Sequence, residues 1–205
     1  MARPLGRTLR QHLAALRILL VFTVVTGLAY PLAVTAIAQL ALPHQADGSL
    51  INENGRPVAS GLIGQNFHVV QNGQDTGRPD PKWFQPRPSA DSYNPLASGA
   101  SNLGPNSPAL VAQVKERRAA IATFDHVPPG NVPADALTAS ASGLDPDISP
   151  AYAYQQADRV ARARKLPPAT VHDLVTTHLQ QRVLGFLGQE HVNVVQLNHA
   201  LNRLR

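Results

Sequence analysis

The sequence predicts an α+β protein: a single N-terminal transmembrane helix followed by one extracytoplasmic domain of mixed α/β structure. Three observations carry that expectation. Ile18 to Leu42 is a run of 25 residues without a charged side chain, roughly 37 Å long as a helix and so enough for a hydrocarbon core of about 30 Å. Arg3, Arg7, Arg10 and Arg17 precede it with no acid among them, and the first charge after it is Asp47. The positive-inside rule therefore keeps residues 1–17 in the cytoplasm, makes 18–42 the span and delivers everything beyond it outside. After the span, short strand-like runs are interleaved irregularly with helices opened by Ser-Pro, an order that fits α+β better than a regular βαβ winding.

The span carries its own signals. Thr23 and Gly27 stand four apart, as do Ala29 and Ala33, the small-xxx-small spacing that lets membrane helices approach closely. Pro31 removes a backbone donor and predicts a kink, with Thr26 and Thr35 placed to satisfy carbonyls near the break. Ala36-Ile37-Ala38 is a small-x-small cleavage pattern, so the alternative is a secretory signal removed on export. Signal cores run about 7–15 apolar residues. Here the apolar stretch before the site is longer and continues past it through Leu42, which favours a retained anchor.

Composition bounds the exported part. The chain has 205 residues and a net charge of +5, of which the four leading arginines supply +4. The remainder, 14 basic against 13 acidic residues, is nearly neutral and gives no reason to expect nucleic acid as a partner. Cysteine is absent, which removes disulfides and thiolates in an oxidising compartment. The length beyond the span suffices for one compact domain with an adequate core.

Residues 43–56, polar and rich in Gly and Asn, read as a linker, and 57–205 as the domain. Strands are expected around Leu62-Ile63 and Phe67 to Val70. Asn72 to Lys82 reads as a loop, with Asn72-Gly73 and Thr76-Gly77 as turns and Pro79 and Pro81 barring helix. Ser107-Pro108 opens a helix to about Phe124, Ser149-Pro150 a second to about Lys165, and Pro168 a third to about Leu184, closed by Gly185 and Gly188. Val192 to Val195 reads as a strand, and Gln196 to Leu204 as a last amphipathic helix.

Several chemistries find no support. There is no G-x-x-x-x-G-K-[ST] phosphate loop, no G-x-G-x-x-G and no Asp-Lys-Thr-Gly phosphorylation sequence, so ATP chemistry would have to come from another chain. His172 and His178, six apart on a helix, point to different faces, and H-E-x-x-H is absent. Asp145 and Asp147 read as turn and helix-dipole residues rather than metal ligands. Arg159, Arg162, Arg164 and Lys165 read as dipole complements at a helix end. Gly99 to Gly104 spells G-x-S-x-x-G, one residue too long for a nucleophile elbow, so Ser101 reads as a turn residue.

Two segments resist such readings. Trp83 to Pro108 is a long tract of turn formers and small polar residues anchored by Trp83, Phe84 and Tyr93, a length of loop improbable in a compact domain without a function. Leu137 to Pro150 is a second small-residue loop that delivers a helix. The first block holds Arg87-Pro88-Ser89-Ala90, Tyr93-Asn94-Pro95 and Ser98-Gly99-Ala100-Ser101-Asn102-Leu103-Gly104-Pro105. The second, continued through its helix to Lys165, holds Thr138-Ala139-Ser140-Ala141-Ser142-Gly143-Leu144-Asp145-Pro146, Ser149-Pro150 and Arg159-Val160-Ala161-Arg162-Ala163-Arg164. With Gly188-Gln189, Val192-Asn193-Val194 and Leu197-Asn198 near the end, these strings resemble the C subunit of the Kdp potassium-transporting P-type ATPase complex over essentially the whole chain. Ala100, where that family commonly has glycine, and an extended loop from His68 to Lys82 are the departures.

The resemblance implies a non-catalytic accessory subunit of a bacterial inner-membrane complex that imports potassium at the expense of ATP. Its implied partners are a channel-like potassium-translocating subunit, a P-type ATP-hydrolysing subunit and a small accessory subunit. It implies a role in assembly and as a catalytic chaperone that raises the pump subunit's affinity for ATP, with Gln156 as a candidate nucleotide contact. ATP is then a cofactor of the complex, and potassium its transported ion, with no site for it expected here. The topology opposes direct contact, since ATP is cytoplasmic and Gln156 is expected outside. A brace on the outer face of the channel subunit is physically easier. Trp83, Phe84 and Tyr93 would anchor it, the Ser101-Asn102…Gly104-Pro105 turn would fix its shape, and the Thr23–Gly27 face would dock the helix. A free periplasmic binding protein after signal cleavage, or an extracytoplasmic hydrolase using Ser101 or a carboxylate pair in a pocket, are the alternatives.

Overall fold

The computed structural model describes residues 6–204; of the four leading arginines, Arg3 lies outside the described residues. The chain divides into two units, one ending at Ser49 and one beginning at Leu50.

The first unit is helical. Helix α1 (Arg7–Val24) runs into a π-helical turn (Val25–Ala29) and on into α2 (Tyr30–Ala41). Together, Thr8–Ala41 is long and apolar enough to cross a membrane, and none of it is buried by the rest of the chain. The break expected at Pro31 takes the form of that π turn. Pro31 has no N–H to return to Gly27 and its ring crowds that carbonyl; widening the turn just before it absorbs the mismatch. Tyr30 N–H pairs with Val25 O, five residues back, and Thr26 Oγ1 donates to Phe22 O at 2.6 Å. A short helix α3 (Pro43–Ala46) follows.

The stretch expected as a linker to residue 56 differs: it contains α3 and the strand β1 (Leu50–Glu53), which pairs antiparallel with β2 (Arg56–Ser60). Asn54-Gly55 makes the turn, both residues at positive φ (49° and 76°), the geometry that two-residue hairpins need to match strand twist. Leu62-Ile63, expected in a strand, lies in the turn after β2. The expected loop from Asn72 is a second hairpin, β3 (His68–Gln71) with β4 (Gln74–Pro79), closed by Asn72-Gly73 at φ 53° and 76°. Its second strand, Gln-Asp-Thr-Gly-Arg-Pro, has no apolar alternation because both of its faces are largely exposed.

Helix α4 (Pro108–Asp125) begins at the Ser-Pro signal, although the Ser107 side chain makes no capping bond, and it ends with His126 in the left-handed region. After a 3₁₀ turn (Pro129–Asn131) come α5 (Ala134–Leu137) and β5 (Asp147–Ile148). Helix α6 (Pro150–Arg164) is properly capped: Ser149 Oγ accepts from Tyr152 N at 3.1 Å. Helix α7 (Pro168–Thr177) stops well short of the expected Leu184; the chain turns into β6 (Leu179–Gln180), an exposed hairpin, and β7 (His191–Asn193). Strand β7 sits between β5 and β6, antiparallel to both. Helix α8 (Val194–Arg203) starts earlier than expected because Asn193 Oδ1 accepts from Gln196 N, capping it.

One apolar cluster holds the domain. Ala153, Ala157 and Val160 of α6 share it with Val171 and Val175 of α7, Val192 of β7, and Leu197 and Leu201 of α8. The three- and four-residue spacing along α6 is what places these side chains on one face.

Candidate functional site

The two long segments singled out in the sequence meet in space. Ser140 N donates to Pro88 O (2.9 Å), Gly99 N to Ser142 O (3.0 Å), and Ser89 Oγ to Gly143 O (2.7 Å). Arg87 Nη1 pairs with Asp145 Oδ2 at 2.8 Å. Tyr93 closes the junction, its hydroxyl donating to Arg87 O at 2.8 Å, with Asp145 O 3.2 Å away. Burial, reinforced by Asp145, pushes the Tyr93 phenol above its ordinary range, so the hydroxyl stays neutral and remains a donor. Ser92 and Tyr93 both sit at positive φ (52° and 56°), a strained conformation for a bulky aromatic. Ser89 Oγ, accepting from Tyr93 N at 3.0 Å, helps to hold it. A Cβ on Gly64 would run into the Tyr93 ring and lie 2.9 Å from Asp145 O, so only glycine leaves room for that ring.

Near the start of the first segment, the backbone of Phe84 and Gln85 is gripped by side chains. Phe84 N donates to Asn198 Oδ1 and Asn198 Nδ2 donates to Phe84 O, both at 2.9 Å. One residue on, Gln85 N donates to Gln156 Oε1 at 2.6 Å and Gln156 Nε2 to Gln85 O at 3.1 Å. Successive residues of an extended chain turn their backbone groups to opposite sides, so α8 clasps one and α6 the next. Arg159 completes the grip: Nη1 donates to Pro81 O (2.7 Å) and Trp83 O (3.0 Å), Nη2 to Gln156 Oε1 (2.6 Å), and Nε to Asp125 Oδ1 (2.8 Å). Its guanidinium also lies over the Phe124 ring at 4.3 Å. Arg164 Nε donates to Lys82 O at 2.8 Å and stacks on Trp83 at 4.1 Å. Arg159 and Arg164 are thus structural clamps rather than the dipole complements expected, because α6 turns them towards the 81–84 backbone.

The expected site residues fall into different places. Phe84 and Tyr93 are buried and Trp83 is half-buried under Arg164. Phe84 and Tyr93 are therefore core residues, which corrects their reading as anchors for a partner: the domain itself occupies their surfaces. Ser101, Asn102, Gly104 and Pro105 are exposed, with Ser107 N donating to Gly104 O at 3.0 Å. No hydrogen bond joins Ser101 to a histidine or carboxylate among the described residues. Thr23 and Gly27 are exposed on the N-terminal helix, Gly27 within the π turn. Gln156 is fully enclosed with both ends of its amide committed.

Sequence reasoning passed over Gln85, Asp125 and the clasp made by Asn198. Nothing local marks them, since the clasped partners lie 71 and 114 residues away. Among the described residues, two enclosed side-chain atoms have no hydrogen-bond partner, Arg87 Nε and Asp147 Oδ1. Both residues line a cleft of about 330 Å³. Burial, and then the neighbouring Asp145, raise the Asp147 carboxyl above its ordinary pKa, while His191 and Asn193 pull it down.

The class defined by these features is a protein with, among the described residues, one helix long and apolar enough to cross a membrane, and an α+β domain whose polar centre is saturated by its own side chains. A family model described as "K+-transporting ATPase, c chain" matches residues 12–203. The chain belongs to this KdpC family. A "Potassium-transporting ATPase KdpC subunit" of Kineococcus radiotolerans is 51% identical over 203 residues, covering 98% of this chain and 97% of that protein. The same subunit of Variovorax paradoxus is 52% identical over 194 residues (92% and 93%) and that of Streptomyces avermitilis 46% over 218 residues (100% and 98%).

Proposed function

We propose that this chain is a non-catalytic accessory subunit that braces the assembled potassium-transporting ATPase. Its helix is retained in the membrane and its domain lies on the outer face, against the channel-like subunit. The observation that carries this reading is the saturation of the polar centre: Asn198, Gln156 and Arg159 spend their hydrogen bonds on the 81–85 backbone, Asp125 holds Arg159 in place, and the Gln85 side chain ties the segment to Phe67 O and Asp80 O. Such a centre maintains a shape and leaves no group poised for reaction. The arginines ahead of the span favour a cytoplasmic N-terminus.

In this reading a rise in the pump subunit's ATP affinity is transmitted through the assembly. Gln156 acts by fixing the domain's form, and ATP is held by another chain. A direct nucleotide contact would require the α6 clasp to open.

Detergent co-purification from cells growing on limiting potassium tests the proposal. The chain is expected to come out with the other subunits, and removing it is expected to lower potassium uptake and raise the KM for ATP. A chain that emerges alone overturns the reading. Amino-terminal sequencing is expected to find the helix intact; a start at Gln39 would establish a cleaved, free periplasmic protein instead.

A further inference from the structure

The hairpin between β6 and β7 exposes four large apolar side chains: Val183 (65%), Leu184 (79%), Phe186 (69%) and Leu187 (49%). Together they present on the order of 400 Å² of apolar surface, the scale of patch that soluble domains keep for function. The tip is a built turn. Val183 and Leu187 exchange both backbone bonds, at 3.0 and 2.9 Å, and Leu184 and Gly185 are both left-handed, with φ 55° and 79°.

The domain supplies its own comparison. Its two other hairpins make the same pair of left-handed residues with Asn54-Gly55 and Asn72-Gly73, the pairing such turns favour. At the third, leucine stands in the asparagine position. The backbone there is disfavoured for a branched apolar side chain, and that side chain is held in solvent. Two local rules broken at one residue mark a surface shaped for something else to cover.

We propose that Val183–Leu187 is a docking knob that enters an apolar cleft on another subunit of the potassium-transporting ATPase. This rests on the accessory-subunit reading above. Membership of the family supplies the other chains, and the tip's chemistry favours protein over lipid. Val183 to Gly188 carries no charge, and its flanks are Gln180, Gln181 and Arg182 on one side and Gln189 and Glu190 on the other. Tips that enter an anionic bilayer surface are drawn there by Lys and Arg and fixed by Trp and Tyr. Here one cation is offset by one anion, and neither Trp nor Tyr is present. A narrow convex tip led by Phe and Leu suits a pocket, where aromatic anchors contribute most.

The chain has no cysteine, so Phe186→Cys gives it a single thiol. Its rate of reaction with a water-soluble maleimide is measured in three samples: the full chain alone in detergent, alone in phosphatidylethanolamine/phosphatidylglycerol nanodiscs, and in the assembled complex. Leu96→Cys, at a residue 95% exposed on another loop, is the reference. The expected result is slowing of at least about ten-fold at Phe186→Cys in the complex alone, with little change at Leu96→Cys. Loss of co-purification by Phe186→Cys but not Leu96→Cys supports the knob equally. Equal rates at Phe186→Cys in all samples, or equal slowing at both positions, overturn it. Slowing in nanodiscs without the other subunits assigns the tip to lipid and overturns it too. Slowing that grows with the concentration of the lone chain assigns the tip to a second copy and likewise overturns the knob. If the unmodified chain fails to co-purify, the accessory-subunit reading fails first and the knob falls with it.

Discussion

Gln156 and Gln85 exchange two hydrogen bonds, one in each direction, between a side-chain amide and a backbone peptide 71 residues away. The glutamine amide stands where the next strand of a sheet would stand.

Replacing Gln156 with alanine therefore strands buried backbone groups of Gln85 and one donor of Arg159. Each unsatisfied group is expensive in the interior, and the expected destabilisation is about 3 kcal/mol. Denaturant unfolding of the full chain in mild detergent reads it. Complexes that still assemble are expected to keep an unchanged KM for ATP, since Gln156 braces and does not bind. A large rise in KM with unchanged domain stability would contradict this role.

Arg159 and Asp125 form a buried ion pair at 2.8 Å, and Gln155 Nε2 holds the other carboxylate oxygen at 2.8 Å. Asp125→Asn leaves a buried guanidinium without its counter-charge, a loss of about 3–5 kcal/mol. Burial already lowers the Arg159 pKa, showing the guanidinium to be costly there even when paired. Asp125→Leu combined with Arg159→Met is expected to lose less than the two single changes together, though more than nothing, because Pro81 O and Trp83 O lose their donor. A double-mutant cycle on unfolding free energies checks it.

The helices opened by Pro108, Pro150 and Pro168 were legible because Ser-Pro and Pro-Pro starts are local signals. The 74–79 strand was not, since Gln74 to Pro79 has no buried face to impose alternation. Val183 falls at helical spacing from Leu179 by coincidence, which extended the third helix on paper through a hairpin. Of the site, the two segments were visible as tracts too long for idle loops. Whether Phe84 and Tyr93 faced inward or outward was not, because aromatic residues anchor cores and interfaces alike. The clasps of Gln156 and Asn198 depend on partners distant in sequence, and nothing in a single helix announces them.

Asp147 gives a pH signature. Its pKa is raised in the folded state, by burial first, so the folded chain binds that proton more tightly than the unfolded one. Its contribution is least unfavourable below the ordinary carboxylate pKa and worsens as pH rises through the raised value. Asp147→Asn removes the titration. The variant is expected to gain stability relative to the unmodified chain on going from pH 3 to pH 7, as measured by unfolding at matched ionic strength. Parallel pH profiles would show that His191 and Asn193 offset the burial.

Leu184→Asn restores to the third hairpin the residue used by the other two. The folded chain is expected to become more stable by about 0.5–1 kcal/mol, from relief of the left-handed strain. Assembly with the other subunits is expected to weaken at least several-fold. Unfolding of the isolated chain and quantitative co-purification, run on the same preparation, separate the two effects.

The clasp at Phe84 and Gln85 has one more consequence. An extended segment normally offers a row of free donors and acceptors along each side, a template on which another chain can stack. Asn198 occupies one side and Gln156 the other, and both residues lie inside the folded domain. The backbone at Phe84 and Gln85 thus has no open edge, and the means that fixes its position also denies intermolecular β-pairing a place to begin there.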